Sequence, residues 1–399
     1  MRRVFGVPRA YAWGSASAIH DLVGSEPDGT PLAELWFGAH PSAPARTAED
    51  GSDLRSLITE DPEGTLGYDV LARFGPQLPY LLKLIAPQRP LSLQVHPDLR
   101  RAQERFAAEN AAGVALDSPV RNYRDPNHKP ELVFALTTFE ALCGFRAPRR
   151  AAELLAGLDA PVARSLHTAL RADPTPSGMR TAFTALLHES TRPGPEEVEQ
   201  VVAACRERAA QGSPSPRADG IVCRLAEEYP HDPGVVASLL LNPVTLQPGD
   251  SLFVPAGGVH AYLSGLGVEV MASSDNVLRA GLTSKHVDVA EVLDCVDYVA
   301  APPIRIAPEV FHGATRVFYA PVDDFELSVT TLAEGDCADG PRPLPGRGPR
   351  VLLCLEGSLA VSGETRGLTL DRGHAAFVRA DDGPLTIAGT GTLVQADVP

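Results

Sequence analysis

The sequence predicts a mainly β chain interrupted by one helical segment, and three observations carry that prediction. Leu91-Ser92-Leu93-Gln94-Val95 alternates apolar and polar residues with the period of a strand, and short apolar runs recur at Leu78 to Ile85, Leu132 to Leu136 and Val268 to Val270. Between residues 147 and 240 Ala, Leu, Glu and Arg dominate. Helical periodicity appears there over 149–171, 178–189, 195–211 and 219–229, with Pro- and Gly-rich breaks between. From about residue 315 the pattern is β again, and Leu368 to Val378 repeats the outline of Leu246 to Val254 at similar spacing, a weak internal repeat. The expected organisation is a discontinuous β domain over 1–147 and 242–300, a helical insert over 148–241 and a second β domain over 301–399.

The totals bound the function. With 399 residues, 44% hydrophobic and 21% charged, the chain is long enough for two or three ordinary globular domains. A net charge of −15 argues against broad binding to nucleic acid, and any anionic ligand must be held by a few placed basic groups. No apolar run reaches the ~20 residues that span a bilayer. The basic start, Met1 to Pro8, is followed by no apolar core of a secretory signal. Six cysteines are scattered without a CxxC pair, as expected of reduced thiols in a cytoplasmic protein.

In chain order, Tyr11-Ala12-Trp13-Gly14-Ser15 and Ala33-Glu34-Leu35-Trp36-Phe37-Gly38-Ala39-His40-Pro41 hold both tryptophans, and Trp13 and Glu34 either wall a pocket or pack in the core. Lys83, inside an apolar run, needs a partner or an opening to water. On the strand that follows, Ser92, Gln94 and His96 share one face, which suits a metal ion or polar ligand better than a core. Residues 98–113 form a helix capped by Asp98 and stopped by Gly113. Asn122 to Pro130 is a polar turn in which Pro130 keeps Lys129 extended. Glu131 then stands at the mouth of an apolar strand, beside His128 and Lys129. The helical segment shows no catalytic cluster.

The string Leu246 to His260, Leu-x-Pro-Gly-Asp-x-Leu-Phe-Val-Pro-Ala-x-x-x-His, resembles the second half of a cupin, a small jelly-roll barrel whose last histidine faces a metal. Cupin sites take a ligand pair from one strand, an acid soon after and a late histidine. Gln94 with His96, Glu131 and His260 keep that order with the spacing stretched, a borderline N/O donor set suited to zinc. The last domain reads as a second cupin-like barrel without a metal, since His374 alone offers itself there, in a turn.

Four segments extend the resemblance: Leu-Ser-Leu-Gln-Val-His-Pro-Asp, Asn-Tyr-Arg-Asp-Pro-Asn-His-Lys-Pro-Glu, His-Ala-Tyr-Leu-Ser-Gly and Ser-Asp-Asn-Val-Leu-Arg-Ala-Gly-Leu-Thr-Ser-Lys. In this order they resemble type I phosphomannose isomerases, strongly over about residues 1–300 and weakly beyond. The resemblance implies one zinc ion held by Gln94, His96, Glu131 and His260, and an active-site Arg279. It also implies a pocket lined by Ser92, Lys129, Glu269 and Lys285. The reaction it implies is mannose 6-phosphate ⇌ fructose 6-phosphate, in a cytoplasmic monomer that feeds GDP-mannose synthesis. Glu269, Lys129 with His128, and Asp275 are candidates for moving the proton; Arg279 or Lys285, helped by Ser92 and Lys83, for holding the phosphate. Leu99 departs from the family, which has lysine there. Two other classes stay open: a metal cupin such as a dioxygenase, favouring iron and more histidines, and a sugar-phosphate-binding protein without catalysis.

Overall fold

The computed structural model describes residues 1–364 and 366–399. It is a stack of layers. Antiparallel strands Ser251–Val254, Glu131–Ala135, Gly267–Ala272, Tyr80–Ile85, Glu34–Gly38 and Val7–Arg9 form one sheet, in that order. A second is ordered Leu278–Gly281, Leu93–Val95, His260–Ser264, Phe139–Phe145 and Leu241–Leu246. The two face each other across an apolar core that takes Ile85, Val133, Ala135, Leu252 and Val254 from the first, and Phe139, Ala141, Val244, Leu246 and Tyr262 from the second. Alternation along each strand sends the remaining side chains outward, and each outer face is covered.

Helices cover the second sheet. Leu93, Val95, Leu142, Ala261, Leu278 and Ala280 on its outer face share one core with Leu166, Phe183, Val201 and Leu225 of the helical segment. Six successive helices, Pro148–Leu155, Pro161–Ala172, Pro176–Leu187, Pro195–Ala210, Pro216–Glu228 and Pro233–Ala237, each begin on a proline. Proline suits that position because its missing N–H has no partner in the first turn. The single run expected over 149–171 is therefore two helices, divided before Pro161. Helix and strand each account for 29% of the chain, so it is mixed α/β rather than mainly β.

A ten-stranded sheet built from the C-terminal residues covers the first sheet. Leu82, Leu84, Leu132, Phe134, Val268 and Val270 pack there against Phe318, Phe325, Leu327, Val351, Leu353 and Val394. The chain start joins it, since Arg2–Phe5 pairs with Ala375–Val378. Its other face encloses a separate core that includes Leu352, Leu359, Val361, Leu370, Leu385 and Ile387. No helix among the described residues is long and apolar enough to cross a membrane.

The C-terminal sheet also buries charge. Glu326 and Asp397 are cross-strand partners, both buried, and neither carboxyl oxygen of Asp397 has a hydrogen-bond partner among the described residues. Burial, then the facing Glu326, push Asp397 well above the usual carboxyl range against the pull of Arg350, and burial raises Glu326 as well. The unfolded chain ionises these groups near pH ~4. The folded chain keeps them protonated to higher pH, so their stabilising contribution is full below that value and is lost as pH rises through the folded value. Asp397→Asn is expected to stabilise the protein by about 1–3 kcal/mol at pH 8 and by much less at pH 5. Thermal melts across that range check this; a constant difference between variant and parent would refute it.

Candidate active site and metal centre

Strand register assembles the site. In the second sheet His260 pairs with Gln94 on one side and Cys143 on the other, and Gln94 pairs with Arg279. Directly opposed residues share a face. Because Leu93, Val95, Ala261 and Leu278 face the helices, the row Cys143, His260, Gln94, Arg279 faces the interior. In the first sheet Lys83 pairs with Trp36 and Glu269. Glu131 lies two residues from Val133, the register partner of Glu269, on the same inward face.

His96, Glu131 and His260 meet at the centre of this space. Their ligand atoms all lie within 4.8 Å of one another, and all three residues are buried. The Glu131 carboxylate faces both rings: Oε1 is 3.2 Å from His96 Nε2, and Oε2 is 3.3 Å from His260 Nε2. Each ring is held from behind. His96 Nδ1 donates to the Asn276 carbonyl at 2.7 Å, and His260 Nδ1 to the Gly258 carbonyl at 3.0 Å. That leaves the Nε2 lone pairs turned toward the carboxylate, the tautomer a metal ligand needs. Burial and the nearby Lys129 ammonium push His96 down to about 4, so it is neutral near pH 7. Burial would raise Glu131, but its charged surroundings, the Lys129 ammonium among them, outweigh it and hold the carboxyl well below its usual range. His96 Nε2 has no hydrogen-bond partner among the described residues. A buried, unpartnered lone pair aimed at an ionised carboxylate fits a divalent cation.

A second charged group lies beside it. The Lys83 ammonium is 2.5 Å from Glu269 Oε2 and 3.3 Å from Glu34 Oε1, and Glu34 Oε2 accepts from the Trp36 indole N–H at 2.8 Å. Burial alone would lower Lys83, but Glu269, Glu34 and Glu131 together raise it, so it stays charged. Burial pushes Glu269 up to about 6, against the pull of Lys83.

Both groups open on a cavity of about 510 Å³, a size that suits a small ligand. Among the sequence-expected residues, Trp13, Glu34, Ser92, Gln94, Lys129, Glu131, His260, Glu269, Asp275, Arg279 and Lys285 line it, and Lys83 lines it too. Gly14, next to Trp13, is packed so closely on the neighbouring backbone that a Cβ there would stand 2.4 Å from the Ala33 Cα. Lys129 Nζ is 3.3 Å from Glu131 Oε1, and Asp275 stands at the rim, 3.6 Å from His40 Nε2. Arg124, Arg279 and Lys285 form a cationic wall without an ion-pair partner among the described residues. Burial lowers Arg279, then Arg124 does; burial lowers Lys285, then Arg279 and Arg124 do.

His96, fully buried beside Glu131, does not reach the cavity surface, and among the expected substrate contacts the exception is His128. It does not line the cavity; its ring turns outward to Asp324, a C-terminal residue, with Nε2 3.0 Å from both carboxyl oxygens. His128, expected with Lys129 at the substrate, here faces Asp324 instead of the cavity. Lys129, its neighbour, faces the other way, into the cavity. The sequence reading also passed over Arg124, although it lies in the quoted Asn122 to Glu131 segment. It missed Tyr262, whose hydroxyl donates to Glu131 Oε2 at 3.3 Å, and Asn276, whose amide binds the carbonyls of Asp125 and Asn127 at 2.8 Å each. The position of Tyr262 two residues after His260, on the same strand face, was the available signal for the first.

Fold and site together define a layered protein built on antiparallel sheets, with a buried candidate metal centre beside a cavity whose wall carries cations unpaired among the described residues. The comparisons narrow this. A family model described as phosphomannose isomerase type I, catalytic domain, matches residues 2–148. The mannose-6-phosphate isomerase of Escherichia coli K12 is 38% identical over 405 residues, covering 99% of each chain. Mannose-6-phosphate isomerase 1 of Arabidopsis thaliana is 34% identical, covering 96% of this chain and 90% of its own. A crystal structure of mannose 6-phosphate isomerase bound with zinc and yttrium superposes with a TM-score of 0.88 at 37% identity, covering 100% of this chain and 99% of that one. The chain belongs to the type I phosphomannose isomerase family.

Removing one imidazole should empty the site. His260→Ala is expected to lower bound divalent metal at least ~10-fold after dialysis, as loss of a ligand does. Elemental analysis per chain measures it, and full metal occupancy in the variant would remove His260 from the ligand set.

Proposed function

We propose that this chain interconverts mannose 6-phosphate and fructose 6-phosphate, with one zinc ion held by Gln94, His96, Glu131 and His260. The observation that carries the reading is the pairing of two features in one cavity: the buried His96-Glu131-His260 cluster and the cationic wall of Arg124, Arg279 and Lys285. The zinc in the related crystal structure supports the choice of ion. The fold in this reading is a cupin barrel over 1–147 and 242–300, a helical insert over 148–241 and a metal-free cupin-like barrel over 301–399. The helices that begin on prolines and the separate core of the C-terminal sheet support it. All six cysteines are free, which supports a reducing, cytoplasmic location.

Zinc bound there would supply Lewis-acid stabilisation to the sugar oxygens at C1 and C2. The chain's own residues do the rest. Arg279 and Lys285, with Arg124, hold the phosphate and so fix which carbons lie over the metal cluster. In the open-chain sugar the C2–H bond breaks and its proton passes to a base. The electron pair becomes the C1–C2 double bond, and the C1 carbonyl pair moves onto O1, which takes up a proton. Returning a proton to C1 while O2 loses its own gives the ketose. Glu269 is the proposed proton carrier: it lines the cavity, and burial brings its carboxyl near neutrality, where a base both ionises and accepts. The Lys129 ammonium, fixed beside Glu131, is placed to donate to the developing oxyanion. Ser92, Asp275, Trp13 and Glu34 shape and hydrogen-bond the remainder of the sugar.

Two variants and a pH profile test these roles in a coupled assay with mannose 6-phosphate. Arg279→Ala should reduce kcat/KM at least ~100-fold while bound zinc stays near one per chain. Loss of zinc as well would make the arginine structural. Glu269 must be ionised to accept a proton, so kcat/KM should fall as pH drops below about 6. Glu269→Gln should cost ~100-fold or more in kcat and abolish that acid limb, zinc content unchanged. A variant that retains both rate and limb would move the proton to another residue. Turnover that requires dioxygen would overturn the isomerase reading altogether.

A further inference from the structure

The turn that carries Lys129 into the cavity is gripped from two sides. From the catalytic side, Asn276, fully buried, accepts the Arg124 N–H at 2.7 Å and donates to the carbonyls of Asp125 and Asn127. From the C-terminal side, Asp324 receives His128. Asp324 is 4% exposed, and both its oxygens lie 3.0 Å from His128 Nε2. Asp324 sits in the link between strands Thr315–Phe318 and Glu326–Leu332. The strands on either side of this link are anchored. Phe318 packs edge-on against Phe134 with ring centres 5.4 Å apart, and Phe325 is fully buried in the shared core. Arg73 holds the carbonyl of Asp323 at 2.9 Å. The segment from His128 to Phe134, which contains Lys129 and Glu131, is thus fastened by the C-terminal sheet at both ends.

We propose that Asp324 is a positioning residue of the active site: by holding His128 outward it fixes the turn that presents Lys129 inward, and so makes the C-terminal sheet part of the catalytic apparatus. The geometry is that of a lever. His128 and Lys129 are adjacent and reach to opposite sides, His128 to Asp324 and Lys129 to Glu131, so a ring locked to Asp324 restrains the backbone that presents the lysine. Catalytic groups tolerate little misplacement, and an error of ~1 Å costs up to ~100-fold in rate. A buried carboxylate that fixes an imidazole by hydrogen bonds to Nε2 is a stiff support for such a group. The inference rests on the assignment of Lys129 and Glu131 to the site.

The test uses the zinc-loaded full chain and mannose 6-phosphate. Asp324→Ala should lower kcat about 10-fold with KM changed much less, at unaltered zinc content. Asp324→Asn, which keeps an acceptor for Nε2–H, should recover most of the rate. His128→Ala should match Asp324→Ala, and the double variant should be no worse than either single one, the signature of one shared interaction. Three results would overturn the proposal: an Asp324→Ala kcat within about twofold of the parent, losses that multiply in the double variant, or a His128→Ala loss far exceeding that of Asp324→Ala. Should Asp324→Ala fail to fold, an undiminished kcat in His128→Ala overturns it alone. Lys129→Ala runs in parallel. If that variant keeps full activity, the site assignment itself falls; if it is inactive while Asp324→Ala is unaffected, only the lever does.

Discussion

A buried carboxylate facing two imidazoles is the constraint on which this structure depends. Glu131 is almost fully enclosed, and an ionised carboxylate in such a place is tolerated only when charges and donors surround it. Lys129 and the Tyr262 hydroxyl provide part of this, while His96 and His260 turn their Nε2 atoms toward the carboxylate to complete the site. Each must arrive with a set orientation, and the backbone enforces this: carbonyls of Asn276 and Gly258 fix the tautomers of the two histidines. The arrangement is electrostatically incomplete without a cation, because both Nε2 lone pairs point at a negative group.

The rest of the molecule serves to keep that point dry and in register. The apolar core between the two facing sheets includes Tyr262, whose hydroxyl meets Glu131. The helices on one outer face and the C-terminal sheet on the other bury the alternate side chains of the strands that carry the ligands. A slip of one residue in any of these strands would turn its ligand into a core and a leucine or valine into the cavity. Register is therefore protected from both sides. The stacking gives the C-terminal sheet a reason to exist beyond its own core.

Charge is sorted within the site. The chain carries −15 overall, yet Arg124, Arg279 and Lys285 gather at the cavity with no ion-pair partner among the described residues. Lys83, by contrast, is fully committed to Glu269 and Glu34. A cation matched by carboxylates inside the protein has little left for a ligand, whereas an unmatched one, partly stripped of water, has a strong preference for an anion. Lys83 is thus matched by the internal carboxylates, while Arg124, Arg279 and Lys285 are left to meet an anion.

Local chemistry was legible from the sequence. Period-two alternation, the Asp98 cap that accepts the Arg101 N–H at 2.7 Å, the prolines near the helix starts and the oddity of an interior Lys83 act over a few residues, and so could be read from them. The metal-ligand candidates were legible through ordered segments similar to a known family. Tertiary structure alone decided that Gln94 stands between His260 and Arg279, that His128 turns away to Asp324 at a separation of 196 residues, and that the unmatched cations converge. The physical reason is range. Propensity and capping are set by neighbours along the chain, while register, burial and the net field at a side chain are sums over residues brought close only when the sheets stack.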